Sequence, residues 1–223
     1  PGINIVTLED PVEYNLDGIN QIQVNPKVGL SFANGLRSIL RHDPNIIMVG
    51  EIRDEETAEM AIQASLTGHL VFSTLHTNDS TSAVIRLTDM GVEPYLIASS
   101  LIGVMAQRLI RMNCNECSEN ISPSLSELKQ VSLGEDDLRD GTYKEGKGCS
   151  LCFKAGYYGR TCISELLLID DDIRNMILKR VSSVEIKKSA LKKGLITLRM
   201  DGAKKIKKGI TTIAEVLRVT QEV

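Results

Sequence analysis

The chain has 223 residues, 42% of them hydrophobic and 25% charged, with 26 Lys and Arg against 29 Asp and Glu for a formal charge of −3. That balance suits a globular protein with a real core and excludes a polycation that binds nucleic acid by charge alone. No run approaches eighteen apolar residues, which argues against a membrane-spanning helix in this sequence, and five cysteines, four of them in two C-x-x-C pairs, favour a reducing, cytosolic setting and a metal over a disulfide framework.

The β-branched stretch at residues 3–9 (INIVTLE) predicts a strand, and the alternation in residues 19–24 (INQIQV) predicts a half-exposed one. Ser31 can cap a helix through Phe32, Leu36, Ile39 and Leu40 that ends before Pro44. Residues 46–49 (IIMV) are wholly apolar, as a buried parallel strand would be. Asp54 opens a second helix through Ala58, Ala61, Ile62 and Leu66, with Gly68 as its stop. A strand at 69–75 (HLVFSTL) and helices near 80–90 and 94–112 follow. Strand, helix, strand, helix, strand predicts an α/β fold with a parallel sheet and right-handed crossovers.

After Met112 the character changes. Cysteines, glycines and short polar stretches occupy 113–156, a β-rich segment follows at 157–169, and helices with a Lys-rich face run to Val223. Three regions are expected: a core at 1–112, a tetracysteine subdomain at 113–156, and a β-hairpin with a helical carboxyl-terminal region at 157–223. With no initiator Met and strand-like sequence from Ile3, the sequence reads as a fragment of a longer chain.

In an open parallel sheet, ligands sit beyond the carboxyl ends of the strands. The first strand is followed by Glu9, Asp10, Pro11 and Glu13, the second principal one by Gly50, Glu51, Arg53 and Asp54, and the third by Thr74, His76, Thr77, Asn78 and Asp79, with His69 at its start. A carboxylate directly after an apolar strand, such as Glu51 after IIMVG, suits a Mg²⁺-nucleotide site. His69 and His76 are seven apart, so one unbroken strand would turn them to opposite faces; they make a poor chelating pair. Cys114, Cys117, Cys149 and Cys152 read C-x2-C-x31-C-x2-C, two knuckles that together complete a four-thiolate site whose natural occupant is Zn²⁺. Cys162 lies outside that spacing and is expected as a small core residue.

These motifs carry a resemblance. TLEDPVEY (7–14) resembles the Asp box of the secretion and pilus-assembly ATPase superfamily, LRSILRHDPNIIMVGEIRD (36–54) its Walker B region, and LTGHLVFSTLHTND (66–79) its His box. The similarity continues through the cysteine pairs, GRTCISELL (159–167) and GITTIAEVLRVT (209–220). The resemblance implies a RecA-like core in a homo-hexameric motor at the cytoplasmic face of the bacterial inner membrane, where it would meet secretion or pilus platform proteins and use ATP and Mg²⁺. In it Glu13 would activate water, Glu51 would organise Mg²⁺ and its water shell, and His69 would sense the γ-phosphate or the adjacent subunit. His76 would support it, and Glu9, Asp10, Gly50 and Arg53 would line the nucleotide site. The tetracysteine clip is typical of assembly and secretion members rather than retraction ones.

Residues 141–148 (GTYKEGKG) match a nucleotide-binding loop except that Gly148 replaces the Mg²⁺-binding Ser or Thr. The preceding DDLRD is too charged for a buried strand, and the resemblance puts the true loop upstream of the Asp box. The match is therefore read as accidental, the true loop as lying before Pro1, and this fragment as inactive by itself. Two alternatives stand beside the motor: a DNA-uptake ATPase of the same superfamily, and a non-catalytic zinc-bearing module. The latter would bind through Lys187, Lys188, Lys192, Lys193, Lys204, Lys205, Lys207 and Lys208, although few aromatics accompany them and no specific nucleic acid is expected.

Overall fold

In the computed structural model, which describes residues 2–220, the first four apolar stretches align as one parallel sheet. Strands β1 (Ile5–Glu9), β2 (Asn20–Gln23), β3 (Ile46–Val49) and β4 (Leu70–Ser73) lie in the order β2-β1-β3-β4. Their register pairs Leu8 with Val49 and Val49 with Ser73, so the carboxyl ends of β1, β3 and β4 form a common edge. β1 returns to β2 through residues 10–19 with no helix between them, a short route for a parallel pair.

Two helices are set by local chemistry. The Ser31 Oγ accepts the Asn34 N–H at 3.2 Å to cap α1 (Phe32–Ile39), and the Asp54 carboxylate accepts the Thr57 N–H at 2.8 Å to cap α2 (Glu55–Leu66). Gly68, at φ 102°, takes the left-handed turn that ends the second helix and starts β4. Leu8, Leu36, Ile39, Ile47 and Val49 are buried together with Ala61 and Ala64, each large side chain contributing roughly 1.5–3 kcal/mol of hydrophobic free energy. Gly35 permits this packing: a Cβ there would stand 2.6 Å from Leu8 Cδ2, so α1 lies directly on β1.

The chain continues through α3 (Ser80–Asp89) and α4 (Pro94–Ser100) into β5 (Gly103–Asn113). The helix expected over 94–112 stops at Ser100, because Leu101 is extended (φ −75°, ψ 125°) and the following residues alternate. Gly103, Met105, Gln107, Leu109 and Arg111 face out, while Ala106 and Ile110 are buried. Ala, Met, Gln, Arg and Leu are good helix formers, but pairing with a distant strand decides here.

Beyond β5 come β6 (Ser118–Asn120), α5 (Leu125–Gln130), α6 (Glu135–Asp140), β7 (Lys144–Gly146) and β8 (Tyr157–Leu168). The chain ends in α7 (Asp171–Leu178), α8 (Ser183–Lys192), α9 (Leu198–Lys207) and α10 (Ile213–Thr220). β8 is one continuous strand paired with β5, where the sequence suggested a local hairpin, and β6 pairs antiparallel with β7. Cys162 is exposed rather than in the core, because the alternation of β8 turns Ile163, Glu165 and Leu167 inward.

The chain divides into two compact units. The first holds the chain up to Thr77, Thr81–Ile102 and Leu168–Lys188; the second holds Asn78–Ser80, Gly103–Leu167 and the chain from Ser189. In the first, α4 packs on α7. In the second, Leu128, Val131, Tyr143, Ala203, Ile206 and Val216 form one core and Ala106, Ile110, Ile163 and Leu198 another. No helix among the described residues is long and apolar enough to cross a membrane.

Candidate nucleotide rim and cysteine cluster

The carboxyl edge of the sheet is knitted beyond the strands themselves. The Gly50 N–H donates to Leu8 O (2.7 Å), the Ile52 N–H to Thr74 O (3.0 Å), and the Thr74 hydroxyl to Gly50 O (2.7 Å). A Cβ on Gly50 would lie 3.1 Å from Leu8 O and 3.5 Å from Glu9 Cα, so the missing side chain lets β1 approach closely just before Glu51.

Glu51 is the centre of this edge. One carboxylate oxygen forms an ion pair with Arg53 and the other a hydrogen bond with His76 Nε2 at 3.2 Å. The Arg53 hydrogen bond pulls its pKa below the ordinary carboxylate value; partial burial opposes the shift and His76 reinforces it. Glu51 is thus held as an anion, its side chain only 13% exposed, while His76 is 88% exposed and reachable from solvent. Asp10 adds Coulombic attraction on Arg53. Glu9 Oε1 accepts from the Thr7 hydroxyl (2.5 Å) and from Gln21 Nε2 (2.9 Å). Gln21 was not singled out in the sequence, yet it also donates to Tyr14 O (3.0 Å) and accepts from the Leu16 N–H (2.6 Å), shaping the loop on which Glu13 sits exposed. Its only signal was a polar position in an alternating strand.

Glu9, Asp10, Gly50, Glu51, Arg53 and His76 therefore share the carboxyl side, with Glu13 on the loop leaving it. His69 does not join them. It precedes β4, and because β3 and β4 are parallel it lies at the amino edge, with the roughly 13 Å length of β4 between it and the rim. Its Nδ1 is 2.9 Å from Ala64 O, which can only accept, so Nδ1 carries the proton and the ring closes off the end of α2.

In the second unit the two C-x-x-C knuckles meet. All four Sγ atoms lie within 4.8 Å of one another, with Cys114–Cys149 and Cys117–Cys152 at 3.8 Å and Cys149–Cys152 at 3.7 Å. Four thiolates about 2.3 Å from one tetrahedral ion would stand about 3.8 Å apart, so the donor set fits a metal such as zinc. The Gly148 N–H points at Cys117 Sγ (3.3 Å) and the Cys149 N–H at Cys152 Sγ (3.2 Å). The Cys149 N–H holds the Cys152 thiol down to about 6, whereas burial pushes Cys117 up to about 12. Full ionisation of four thiols packed this closely requires a cation.

This geometry also disposes of residues 141–148 as a phosphate loop. Gly141 follows α6, residues 144–146 form β7, and Gly148 (φ 91°) turns the chain into the second knuckle; no strand-to-helix turn presents its amides.

The type IV pilus assembly ATPase PilB of Thermus thermophilus is 52% identical over 222 residues, 100% of this chain and 25% of that protein. The type II secretion system protein E of Pseudomonas aeruginosa is 52% identical over 219 residues, 98% of this chain and 43% of its own length. The type II secretion system ATPase E of Vibrio cholerae is 50% identical over 98% of this chain and 43% of its own. The chain thus spans a quarter to less than half of these relatives. Among solved structures, that of the pilus retraction motor PilT with bound ADP superposes with a TM-score of 0.69 at 28% identity, covering 98% of this chain and 53% of that one. The Legionella pneumophila ATPase DotB, at 23% identity and TM-score 0.66, shares the fold. The family model for type II/IV secretion system proteins matches residues 1–218, and the chain belongs to that family.

Proposed function

We propose that this chain is the carboxyl-terminal part of an ATP-hydrolysing motor with a RecA-like core that powers type II secretion or type IV pilus assembly. The observation that carries the reading is Glu51, held anionic after an apolar strand and bonded to Arg53 and His76 on the carboxyl edge of a parallel sheet. The relatives named as a type IV pilus assembly ATPase and a type II secretion system ATPase support it.

When bound, Mg²⁺-ATP would supply an electrophilic γ-phosphorus, with the metal offsetting the negative charge of the phosphate oxygens. Glu51 would hold the water shell of that metal, with Arg53 as its counter-ion while the site is free. Glu13, on a solvent-exposed loop, takes the proton of the attacking water. His76 offers a hydrogen-bond donor toward the phosphates, and Glu9 and Asp10 fix the neighbouring rim. His69, at the other edge, fits the contact with an adjacent subunit better than phosphate sensing. The phosphate-binding loop comes from protein outside these residues. The four cysteines hold a structural zinc, the assembly is a homo-hexamer, and it works at the cytoplasmic face of the inner membrane against platform proteins.

The test is steady-state ATP turnover with and without Mg²⁺ in the complete protein. Glu13→Gln and Glu51→Gln should each lower kcat by about 100-fold or more, with circular dichroism unchanged, and the 223-residue chain should turn over negligibly. Parental turnover in both variants would overturn the active-site assignment, and robust turnover by the chain alone would overturn its status as an incomplete site.

A further inference from the structure

The loop between β1 and β2 leaves Glu13 exposed, and among the described residues its side chain forms no hydrogen bond or ion pair. Its placement is therefore set by the backbone on either side. The parallel register sets Thr7 beside Gln21 and Glu9 beside Gln23, and the period of two puts all four side chains on one face of the sheet. Gln21 is fully engaged there. Its amide nitrogen donates to Glu9 Oε1 (2.9 Å) and to Tyr14 O (3.0 Å), and its amide oxygen accepts the Leu16 N–H (2.6 Å). These partners fix which way the amide points, because the opposite orientation would set its oxygen against two acceptors and its nitrogen against a donor. Glu9 Oε1 also receives the hydroxyl of the buried Thr7, which ties the group to the sheet. Farther along the same face, Gln23 Oε1 accepts the Val12 N–H at 3.4 Å.

Glu13 stands between Val12 and Tyr14, so two glutamines of one strand bond to the backbone on both sides of it. We propose that Gln21 is a positioning residue for Glu13: it ties Tyr14 and Leu16 to Glu9 at the end of β1, with Gln23 assisting at Val12. All of these residues belong to the first unit. A displacement of about 1 Å in a reacting group can cost about 100-fold in rate, and an aliphatic side chain at position 21 could make none of the three bonds. The proposal rests on the reading of Glu13 as the group that takes the proton of the attacking water; Gln21 itself need touch neither water nor nucleotide.

The test compares Gln21→Leu, Glu13→Gln and the double variant in the complete protein, by steady-state ATP turnover and by hydrogen exchange. Gln21→Leu should lower kcat about 10-fold or more and leave KM for Mg²⁺-ATP within about twofold. In the Glu13→Gln background the same change should cost less than about twofold, since residues that act through one group are not additive. A merely structural role would lower both backgrounds alike. Exchange across residues 10–19 should rise about 10-fold in Gln21→Leu, with β1 and β3 still slow, and stay parental in Glu13→Gln. Gln21→Glu keeps the length and the acceptor but gives up both donors and sets a second carboxylate against Glu9. It should behave like Gln21→Leu, and it decides the question if that variant does not fold. Unchanged exchange, an equal loss in both backgrounds, or parental kcat beside a defective Glu13→Gln would each overturn the proposal alone. Parental turnover in Glu13→Gln would instead remove the reading of Glu13 as the base, and the proposal with it, whatever the exchange.

Discussion

Glu215 shows how one residue can organise its surroundings. Its side chain is fully buried and receives the Arg111 N–H (2.9 Å), the Arg111 guanidinium (3.0 and 2.6 Å) and the Arg218 guanidinium (2.9 and 2.7 Å). Arg111 in turn lies 4.2 Å from the centre of the Tyr157 ring, whose hydroxyl is 2.7 Å from that of Thr212. The Arg218 hydrogen bond, with Arg111 beside it, drives the Glu215 pKa far below the ordinary carboxylate value against the opposing effect of burial. A carboxyl depressed on folding stabilises fully above its unfolded pKa of about 4.3, and that stability is lost as the pH falls below it. Glu215→Gln should therefore cost about 2–3 kcal/mol at neutral pH, below the range for a wholly buried pair because both arginines can rehydrate. In urea melts the gap to the parent protein should narrow below pH of about 4; a gap independent of pH would show that the charge contributes nothing.

Among the elements, the contact of α1 with β1 gives the sharpest expectation. A glycine inside a helix costs about 1 kcal/mol relative to alanine, so Gly35→Ala would stabilise an open helix. Here the new methyl meets Leu8, itself 0% exposed. Overpacking of this kind costs about 1–3 kcal/mol, and the net outcome should be a loss near 1 kcal/mol in denaturant melts; a gain would mean the helix slides away freely. The same elements show what the sequence made legible. The caps at Ser31 and Asp54 and the apolar run at 46–49 are local signals, and the structure places α1, α2 and β3 where they predicted. Residues 103–113 were misread because their state depends on β8, far along the chain. For the histidines, spacing spoke to which face of a strand each occupies. The ends of the sheet they occupy depend on strand direction, which spacing does not encode.

At the scale of the whole molecule, the return of Leu168–Lys188 to the first unit has no mark in composition, since no linker or charge run announces it. The basic face was visible in sequence, but its charge is partly answered: Lys207 pairs with Asp137 at 3.0 Å and Lys205 with Asp201 at 3.8 Å. The cysteine cluster was fully legible, because two knuckles need only meet. Metal analysis of the reduced protein should return about one zinc per chain, and its removal by a chelator should lower the melting temperature. Hydrogen exchange should then rise across residues 113–156 and stay slow in β1 and β3, as expected if the ion stabilises the second unit alone; less than half an equivalent, or unaltered exchange, would refute a structural zinc.

The return from β1 to β2 without a helix has its own effect on how this rim can operate. Residues 10–19 are shaped by Gln21, which grips Glu9, Tyr14 and Leu16 at once, and Glu13 rides on that span. An acid carried on a tethered arm can be swung toward or away from a guest by re-forming three hydrogen bonds, with the hydrophobic interior beneath it left untouched.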